Sequence, residues 1–400
     1  MSRRRADRDG GVRHGVELGL HGGRRAAVWL AAGALLALSG CIPGPRSDTP
    51  RAAGGPGPEI RIALATVPAA EAPSPRAANG GGLVRFRGKS YRGSLQAIPT
   101  DTGVLVVNVI ALEDYLLGVV PLELGERPTA ERAALEAQAI AARSFTVIRL
   151  NAARNGRGRS PHFDLVGTTS DQVYGGADAE QPNASAAVRA TAGLVLTYGG
   201  RVIEAPYHST CGGETAGAEE VWQTPHPYLR RVSDRIPGSR NRYYCDIAPR
   251  FYWERTLSGP DLNQVVARYL GSYTDVPPGG PGDVRDVRIV RRTASGRADV
   301  VAFRTARGTF ELRGNTARSV LRTTAGELMP SSYFSVSITP SASGGIERAL
   351  LRGNGFGHGV GMCQWGAIGR ARAGQGAAQI LRTYFPGTSV APLRSSQIVL

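Results

Sequence analysis

Residues 129–150, TAERAALEAQAIAARSFTVIRL, form the stretch of this chain that most clearly predicts a long helix. Thr129 can cap its first turn, Glu131 suits the positive end of the helix dipole, and alanine dominates the other positions. So much alanine at helical spacing predicts a helix that packs closely against other elements. Gln138 and Arg143 interrupt the run. In a helix buried all round, each would need a buried partner or a ligand.

Strand and helix signals are mixed on both sides of this helix. Before it, the patterns predict strands at residues 60–66, 83–87 and 104–110, a short helix at 112–118 and a connection at 119–125. After it, they predict a helix at 184–191, hairpins around Gly199-Gly200 and Ser295-Gly296, and two helices beyond Cys363. Because strands and helices do not alternate regularly, the sequence predicts an α+β fold rather than a doubly wound sheet.

Composition sets limits on the partners of this chain. With 400 residues, 42% of them hydrophobic, it can bury a substantial core, and its formal net charge is +16. A basic balance suits an anionic partner such as the cell wall, lipid headgroups or nucleic acid. The arginines are spread along the chain rather than clustered among aromatic residues, which argues against a nucleic-acid partner.

The N-terminal segment has the pattern of an export signal. Arg24 and Arg25 precede an apolar run at residues 26–38 that is short for a membrane span, and the run ends in Leu-Ser-Gly before Cys41. This pattern predicts a lipoprotein signal peptide at 1–40, with Cys41 as the lipid-attachment residue. An ordinary signal peptide or membrane anchor that contains a cysteine is the alternative. Residues 41–58 are rich in Pro and Gly and predict a flexible tether to a domain at 59–400.

Glu123 is the first candidate for chemistry. It lies in VVPLEL, among Val119, Val120, Leu122 and Leu124. Burial among such side chains raises the pKa of a carboxyl group and keeps it protonated, as a general acid requires. The alternative is a solvent-facing glutamate just before the long helix.

The stretch at 353–367, GNGFGHGVGMCQWGA, places a glycine at every second position through Gly361. It does not match the dinucleotide fingerprint, because no glycine falls five residues after Gly353, Gly355, Gly357 or Gly359. No Gly-Lys-Ser/Thr follows either. The alternating glycines predict close approach of the backbone to another group, with His358 either facing a ligand or packed structurally.

The cysteines leave three possibilities open. His208 and Cys211 are spaced like metal ligands and Cys245 lies downstream, but zinc usually takes three or four protein ligands. A Cys211–Cys245 disulfide is simpler for an exported protein. A free thiol, including one paired with a histidine as a nucleophile, is the third possibility.

Taken together, several of these blocks resemble the stage II sporulation protein D family, also called the SpoIID/LytB domain. The matching blocks, in order, are VVPLEL at 119–124, ALEAQAIAARSF at 134–145, TTSDQVYGG at 168–176, HSTCGGET at 208–215 and GHGVGMCQWGA at 357–367. The resemblance implies a SpoIID-like α+β domain at 59–400 with an inserted or appended β-rich part.

The resemblance also implies a function. Family members that are enzymes are lytic transglycosylases, which cleave the MurNAc–GlcNAc linkage of peptidoglycan and leave a 1,6-anhydro end, preferably on strands stripped of stem peptides. Glu123 matches the family's catalytic acid. Other members enhance a cell-wall amidase (an N-acetylmuramoyl-L-alanine amidase) without cutting glycan themselves. The expected partners are therefore glycan strands, a membrane reached through the lipid anchor, and in the second case an amidase, at the cell wall or in the periplasm.

The remaining expectations concern individual side chains. Residues expected to position substrate are Gln138, Arg143, Ser209, His358 and Gln364. No cofactor is required for the expected chemistry. Some relatives bind zinc through the HSTC block and a later Cys-x-x-Cys, which here is Arg242-Tyr-Tyr-Cys245. With arginine at the first position, the ligand set of His208, Cys211 and Cys245 is incomplete.

Overall fold

The computed structural model describes residues 57–74, 82–342 and 344–399, so the predicted signal peptide, Cys41 and most of the tether lie outside the described residues. The α-helices are α1 Leu112–Leu117, α2 Val120–Leu124, α3 Arg132–Ala152, α4 Pro182–Ala190, α5 Ala218–Trp222, α6 Gly259–Tyr269, α7 Gly314–Val320, α8 Gln364–Arg372 and α9 Ala377–Tyr384. No helix in the described ranges is both long and apolar enough to cross a membrane.

The strands of the first half are β1 Glu59–Val67, β2 Val84–Phe86, β3 Lys89–Tyr91, β4 Ser94–Thr100, β5 Gly103–Ala111, β6 Leu165–Val166, β7 Leu194–Tyr198, β8 Arg201–Val202 and β9 Tyr207–His208. Those of the second half are β10 Tyr252–Ser258, β11 Val284–Arg292, β12 Ala298–Thr305, β13 Gly308–Arg313, β14 Phe334–Pro340, β15 Ile346–Asn354, β16 Met362–Cys363 and β17 Ser389–Pro392. The mixture of helices and short sheets confirms the α+β class.

Helix α3 lies at the centre of the larger hydrophobic core. It contacts α4, α8, α9 and β7, and its alanines at 134, 137, 139, 141 and 142 are fully buried. The prediction of a closely packed helix is confirmed. The predicted cap is wrong, because Thr129 begins a single 3₁₀ turn and Glu131 takes the N-cap position without a capping side-chain bond.

Four of the strands form a sheet in the order β4-β5-β1-β6, and its strand β5 leads to α3 through α1 and α2. Strand β5 pairs antiparallel with β1 and runs directly into α1. The next segment was predicted as a connection, but it forms the five-residue helix α2. Pro121 occupies its first turn, and Gly125, with φ of 78°, ends it.

A second, smaller core lies within residues 252–354. The sheets β10-β15-β14 and β11-β12-β13 pack there with α6 and α7. This is the β-rich part, and it is inserted, because the chain returns to the larger core through β16. The amide of Gly355 donates to the carbonyl of Phe251 at 2.8 Å, so the two ends of the insertion meet.

A short parallel pair joins distant parts of the sequence beside α3. Tyr207 pairs with Met362 and His208 with Cys363 in the β9–β16 ladder. The pairing brings the HSTC block and the glycine-rich stretch together, and it places both next to the first turn of α8.

Candidate active site

A cavity of about 390 Å³ lies where these segments meet α2. Its wall comes from six separate parts of the chain: Glu123, Phe145, Arg149, Thr169, Ser170, Asp171, Val173, Glu204, Pro206, Tyr207, His208, Ser209, Trp222, Phe356, Gly357, His358 and Gln364. Of the residues predicted to act on or position substrate, Glu123, Ser209, His358 and Gln364 line it, whereas Gln138 and Arg143 do not. His208, predicted as a possible metal ligand, lines it too.

Glu123 reaches the cavity from the last turn of α2. The flanking Val120 and Leu124 are buried, and the amide of Val173 donates to Oε1 of Glu123 at 3.0 Å. This contact fixes the carboxyl group from one side. Of the four apolar neighbours named from the sequence, Val119, Val120 and Leu124 are buried, whereas Leu122 is 46% exposed. Glu123 is partly buried, between a solvent-facing and a fully enclosed position.

Burial raises the pKa of Glu123 above its usual range. The Val173 amide and side-chain hydrogen bonds from Gln364 and Tyr207 act in the opposite direction, because they stabilise the carboxylate. Desolvation is the larger effect. A carboxyl group with a raised pKa at a cavity wall is suited to donate a proton and then to take one back.

Tyr207 is a cavity residue that the sequence analysis did not single out. Its hydroxyl oxygen accepts from Nε2 of Gln172 at 2.9 Å and its side chain hydrogen-bonds to Glu123. Gln172 is itself held by the Thr146 hydroxyl, which donates to Oε1 at 2.9 Å. The aromatic residue immediately before the HSTC block was the available signal.

The side chains of Gln364 and Gln138 are hydrogen-bonded to each other. Nε2 of Gln364 donates to the backbone carbonyl of Glu123 at 3.0 Å and to Oε1 of Gln138 at 3.3 Å. Gln138 is fully buried and does not line the cavity, and its Nε2 has no hydrogen-bond partner among the described residues. Gln138 therefore orients the Gln364 side chain. Gln364 in turn stabilises the end of α2 through its hydrogen bond to the Glu123 carbonyl.

The structure gives Arg143 a different role from the one predicted. It is fully buried, and its Nε and Nη2 donate to the two carboxylate oxygens of Glu113 at 2.8 and 2.7 Å. Nη1 donates to the carbonyl of Leu194 at 3.0 Å. With its donors engaged inside the core, Arg143 fixes α3 against α1 and β7 and does not contact substrate.

His358 lines the cavity, but both of its ring nitrogens are occupied by backbone. Nε2–H donates to the carbonyl of Tyr207 at 3.0 Å, and Nδ1 accepts from the amide of Val360 at 3.1 Å. Burial, helped by His208 and Arg318, lowers the pKa of His358 to about 3. His358 is therefore a neutral residue that fixes this wall of the cavity, and the predicted hydrogen bond to ligand has no nitrogen left to make it.

The alternating glycines are explained mainly by packing. Gly357 and Gly361 have φ of 111° and 73°, and a Cβ at these positions would lie 2.8 Å from Cβ of His208 and 2.1 Å from the carbonyl oxygen of Pro206. The stretch thus lies directly against the segment around β9, while Phe356, Gly357 and His358 face the cavity.

Two further carboxylates line the cavity, and both are paired with Arg149. Its guanidinium lies 3.5 Å from Oδ1 of Asp171 and 3.4 Å from Oε1 of Glu204. It also lies over the ring of Phe145. Of the three carboxyl groups that line the cavity, Glu123 is the one that forms no ion pair with a described residue.

Trp222 supplies an exposed aromatic surface at the cavity. It is 40% exposed, and its ring lies 5.2 Å from that of His358. Exposed tryptophan faces are suited to stack on the apolar faces of sugar rings. Nothing in the spacing around residue 222 pointed to it.

The predicted Cys211–Cys245 disulfide is not formed. The two sulfurs lie 3.4 Å apart, against about 2.0 Å in a disulfide, and both cysteines are free, as is Cys363. His208 does not lie in this group: its Nδ1–H donates to the carbonyl of Val360 at 3.1 Å, and its Nε2 has no hydrogen-bond partner among the described residues. The side chains that meet Cys211 and Cys245 are Cys363 and Asp234.

Comparison with known proteins agrees with this arrangement. A family profile described as "Stage II sporulation protein" (SpoIID) matches residues 100–198, and one described as "Domain of unknown function (DUF8618)" matches residues 239–361. The second match falls largely on the insertion. The first covers α1 to α4, including Glu123.

Individual relatives are similar over longer stretches of the chain. A stage II sporulation protein D of Bacillus amyloliquefaciens is 31% identical over 296 residues, which cover 71% of this chain and 75% of that protein. An uncharacterized protein of Brachyspira hyodysenteriae is 33% identical over 305 residues, covering 76% and 73%. The amidase enhancer of Bacillus subtilis is 29% identical over 312 residues, 69% of this chain but 40% of that protein. The chain belongs to the stage II sporulation protein D family.

Proposed function

We propose that this protein is a lytic transglycosylase that cleaves peptidoglycan glycan strands at the cell surface, with Glu123 as its acid and base. The observation that carries the proposal is Glu123 itself. It is a largely buried carboxyl group with a raised pKa on a cavity wall, oriented by the Val173 amide. The predicted lipoprotein signal would place this activity outside the cytoplasm, on a membrane.

The chemistry needs one protonated carboxyl group. Glu123 donates its proton to the glycosidic oxygen as the bond from that oxygen to C1 of MurNAc breaks. The 6-hydroxyl oxygen of the same MurNAc then bonds to C1, and its proton passes to the Glu123 carboxylate. The product is a 1,6-anhydro end, and the protein returns to its starting state. Since the sugar supplies the nucleophile, a second unpaired carboxylate is unnecessary, which agrees with the pairing of Asp171 and Glu204 to Arg149.

A second candidate function is stimulation of a cell-wall amidase. The observation that favours it is the similarity to a relative named amidase enhancer. In that case the cavity would bind glycan without cleaving it. The two functions differ in one measurable respect. A transglycosylase cleaves the glycan strand by itself, whereas an amidase enhancer does not.

The test incubates the purified protein with intact and with peptide-stripped glycan strands and searches for 1,6-anhydro ends by mass spectrometry. We expect anhydro products, in higher yield from stripped strands. If no anhydro ends form while the protein still sediments with glycan, the transglycosylase is excluded. An amidase assay with and without the protein then tests the second function.

The pH profile should report the hydrogen bond from Tyr207. That bond opposes the rise in the pKa of Glu123, so Tyr207→Phe is expected to raise this pKa further. Because the acid must be protonated, the alkaline limb of kcat/KM should move to higher pH. A Tyr198→Phe variant, altered at an exposed tyrosine, should keep the parent profile. A limb that stays in place or moves to lower pH would contradict this account of Glu123.

Glycan binding should depend on Trp222. Trp222→Ala is expected to raise KM roughly 2- to 10-fold with little change in kcat, the effect of losing one aromatic stacking contact. Trp222→Phe should recover most of the loss. The matched control is Tyr252→Ala, which removes an exposed aromatic side chain outside the cavity. Equal binding by all three variants would show that Trp222 does not contact glycan.

A further inference from the structure

Four side chains that commonly bind metal ions meet in the interior, outside the cavity wall. Cys211, Asp234, Cys245 and Cys363 are fully buried, and one ligand atom from each lies within 4.8 Å of all the others. In a tetrahedral zinc site with Zn–S bonds of about 2.3 Å, the sulfurs are about 3.8 Å apart. The cluster already has the dimensions of such a site.

Hydrogen bonds from outside the cluster orient the carboxylate. Oδ1 of Asp234 accepts from Nη2 of Arg370 at 2.9 Å and from the Tyr384 hydroxyl at 2.7 Å. Oδ2 faces the sulfur of Cys211 at 4.0 Å. Metal-binding carboxylates typically have one oxygen held by outer groups in this way, which fixes the other oxygen for the ion.

The backbone around Cys363 is arranged for a thiolate. Its sulfur accepts from the amide of Cys211 at 3.2 Å and from the amide of Gly366 at 3.3 Å. Cys363 is the N-cap of α8, a nine-residue helix, whose dipole also favours negative charge there. A buried thiol packed only as a small apolar group would not need these two donors.

Buried charge points to a cation as well. Arg297 is 2% exposed, donates to the carbonyl of Cys211 at 3.0 Å, and forms no ion pair with any described carboxylate. Three thiolates and one carboxylate would carry four negative charges. A divalent cation with Arg297 and Arg370 would carry four positive charges. The metal-bound cluster is thus neutral, and the Arg297 cation gains the compensating charge that burial requires.

We propose that Cys211, Asp234, Cys245 and Cys363 bind one thiophilic divalent cation, zinc by preference, in a closed structural site. Three sulfur ligands and one oxygen in tetrahedral reach select zinc over the hard cations magnesium and calcium. The set includes two ligands that the spacing of the HSTC block did not reveal, and it omits His208.

The site would tie three segments together behind the cavity. Cys211 follows the cavity residue Ser209 by two positions, and Cys363 directly precedes the cavity residue Gln364. An ion that joins them to the loop carrying Asp234 and Cys245 would hold the part of the wall formed by Ser209 and Gln364, next to Glu123, without touching substrate. This inference stands apart from the proposed function, because metal binding is measured without glycan.

The test measures the metal content of the full chain. The chain is purified without chelators and with a reductant that does not itself bind zinc. We expect one zinc per chain by mass spectrometry of the metal content. Cobalt exchanged into the protein should give a thiolate-to-cobalt charge-transfer band and the intense visible absorption of a tetrahedral centre. A chelator should lower the thermal midpoint of the parent protein.

Variants then assign the ligands. Cys363→Ser should weaken zinc binding at least about tenfold, since changes to outer groups alone cost about 10- to 100-fold. Cys363→His, which keeps a zinc ligand, should restore part of the loss. His208→Asn should keep the metal and the cobalt spectrum.

Three outcomes would overturn the proposal. The first is a parent protein that holds no zinc and gives no charge-transfer band with cobalt, a result that needs no variant to fold. The second is a thiol count in denaturant, taken without reductant, that shows Cys211 and Cys245 joined as a disulfide. The third is loss of metal in His208→Asn but not in Cys363→Ser, which would restore the ligand set expected from the sequence.

Discussion

Replacement of Glu123 by glutamine is expected to abolish formation of 1,6-anhydro ends, with a loss of at least about 10²- to 10⁴-fold, the usual contribution of a general acid. Glutamine has the same shape, and its carbonyl oxygen can still accept from the Val173 amide, so the fold of α2 should be unchanged. The measurement is the rate of anhydro-end release from peptide-stripped strands, with sedimentation to confirm that glycan binding persists.

Glu126→Gln is the matched control for this result. Glu126 follows α2 by two residues and is exposed, so it shares the local sequence but not the burial. Its variant should retain parental activity. Anhydro products from Glu123→Gln at the parental rate would remove Glu123 from the chemistry, and equal loss in both variants would point to a general disturbance around α2.

Replacement of Arg143 by methionine is expected to lower the free energy of unfolding by roughly 3–5 kcal/mol, the usual cost of breaking a buried ion pair by removing one partner. The change leaves the Glu113 carboxylate without its cation and the Leu194 carbonyl without its Nη1 donor. Urea denaturation measures the effect. At temperatures where the variant is folded, the rate of glycan cleavage should remain close to the parental rate.

Arg132→Met provides the comparison within the same helix. Arg132 is half exposed and pairs with Glu136 one turn away, an arrangement that contributes about 0.3–0.5 kcal/mol. Its variant should therefore unfold at nearly the parental urea concentration. If Arg143→Met were instead as stable as the parent but unable to bind glycan, the original expectation that Arg143 positions substrate would be correct.

Local sequence patterns predicted the helices and strands that are long enough to show a regular pattern of residues. Alanine spacing identified α3, and alternating apolar residues identified β1 and β5 within a residue or two of their ends. Helix α2 was missed because five residues give too short a window for helical periodicity, and its proline resembles a turn signal. Its position is set by tertiary packing rather than by propensity.

The environment of a site residue could be predicted where it is formed by residues that are adjacent in the sequence. Glu123 has buried neighbours in the adjacent sequence, so its burial and raised pKa could be anticipated. Arg143 was misassigned because its partner Glu113 lies on another helix, and a buried arginine without a visible partner resembles a ligand contact. Tyr207 owes its role to Gln172, which no local spacing connects to it.

The cluster of Cys211, Cys245 and Cys363 is another case in which contacts between distant parts of the chain could not be read from local spacing. Spacing suggested His208 as a ligand because it is three residues from Cys211. The β9–β16 pairing instead brings Cys363 to Cys211 and directs His208 to the carbonyl of Val360. A one-dimensional pattern cannot report a parallel pairing between segments so far apart in the chain.

The closed base of the insertion has a consequence for how such a chain can change over generations. Residues 252–354 enclose a hydrophobic core of their own, and the two ends of the segment meet at the hydrogen bond between Gly355 and Phe251. Arg297, Ser295 and Pro330 also join it to the larger core, through hydrogen bonds to Cys211, Glu220 and Gly357. None of the residues that line the cavity belongs to this segment. A gene could therefore lengthen or shorten the outer turns of this segment while the acid, its supporting tyrosine and the aromatic wall keep their places, provided that the contacts of Arg297, Ser295 and Pro330 are kept.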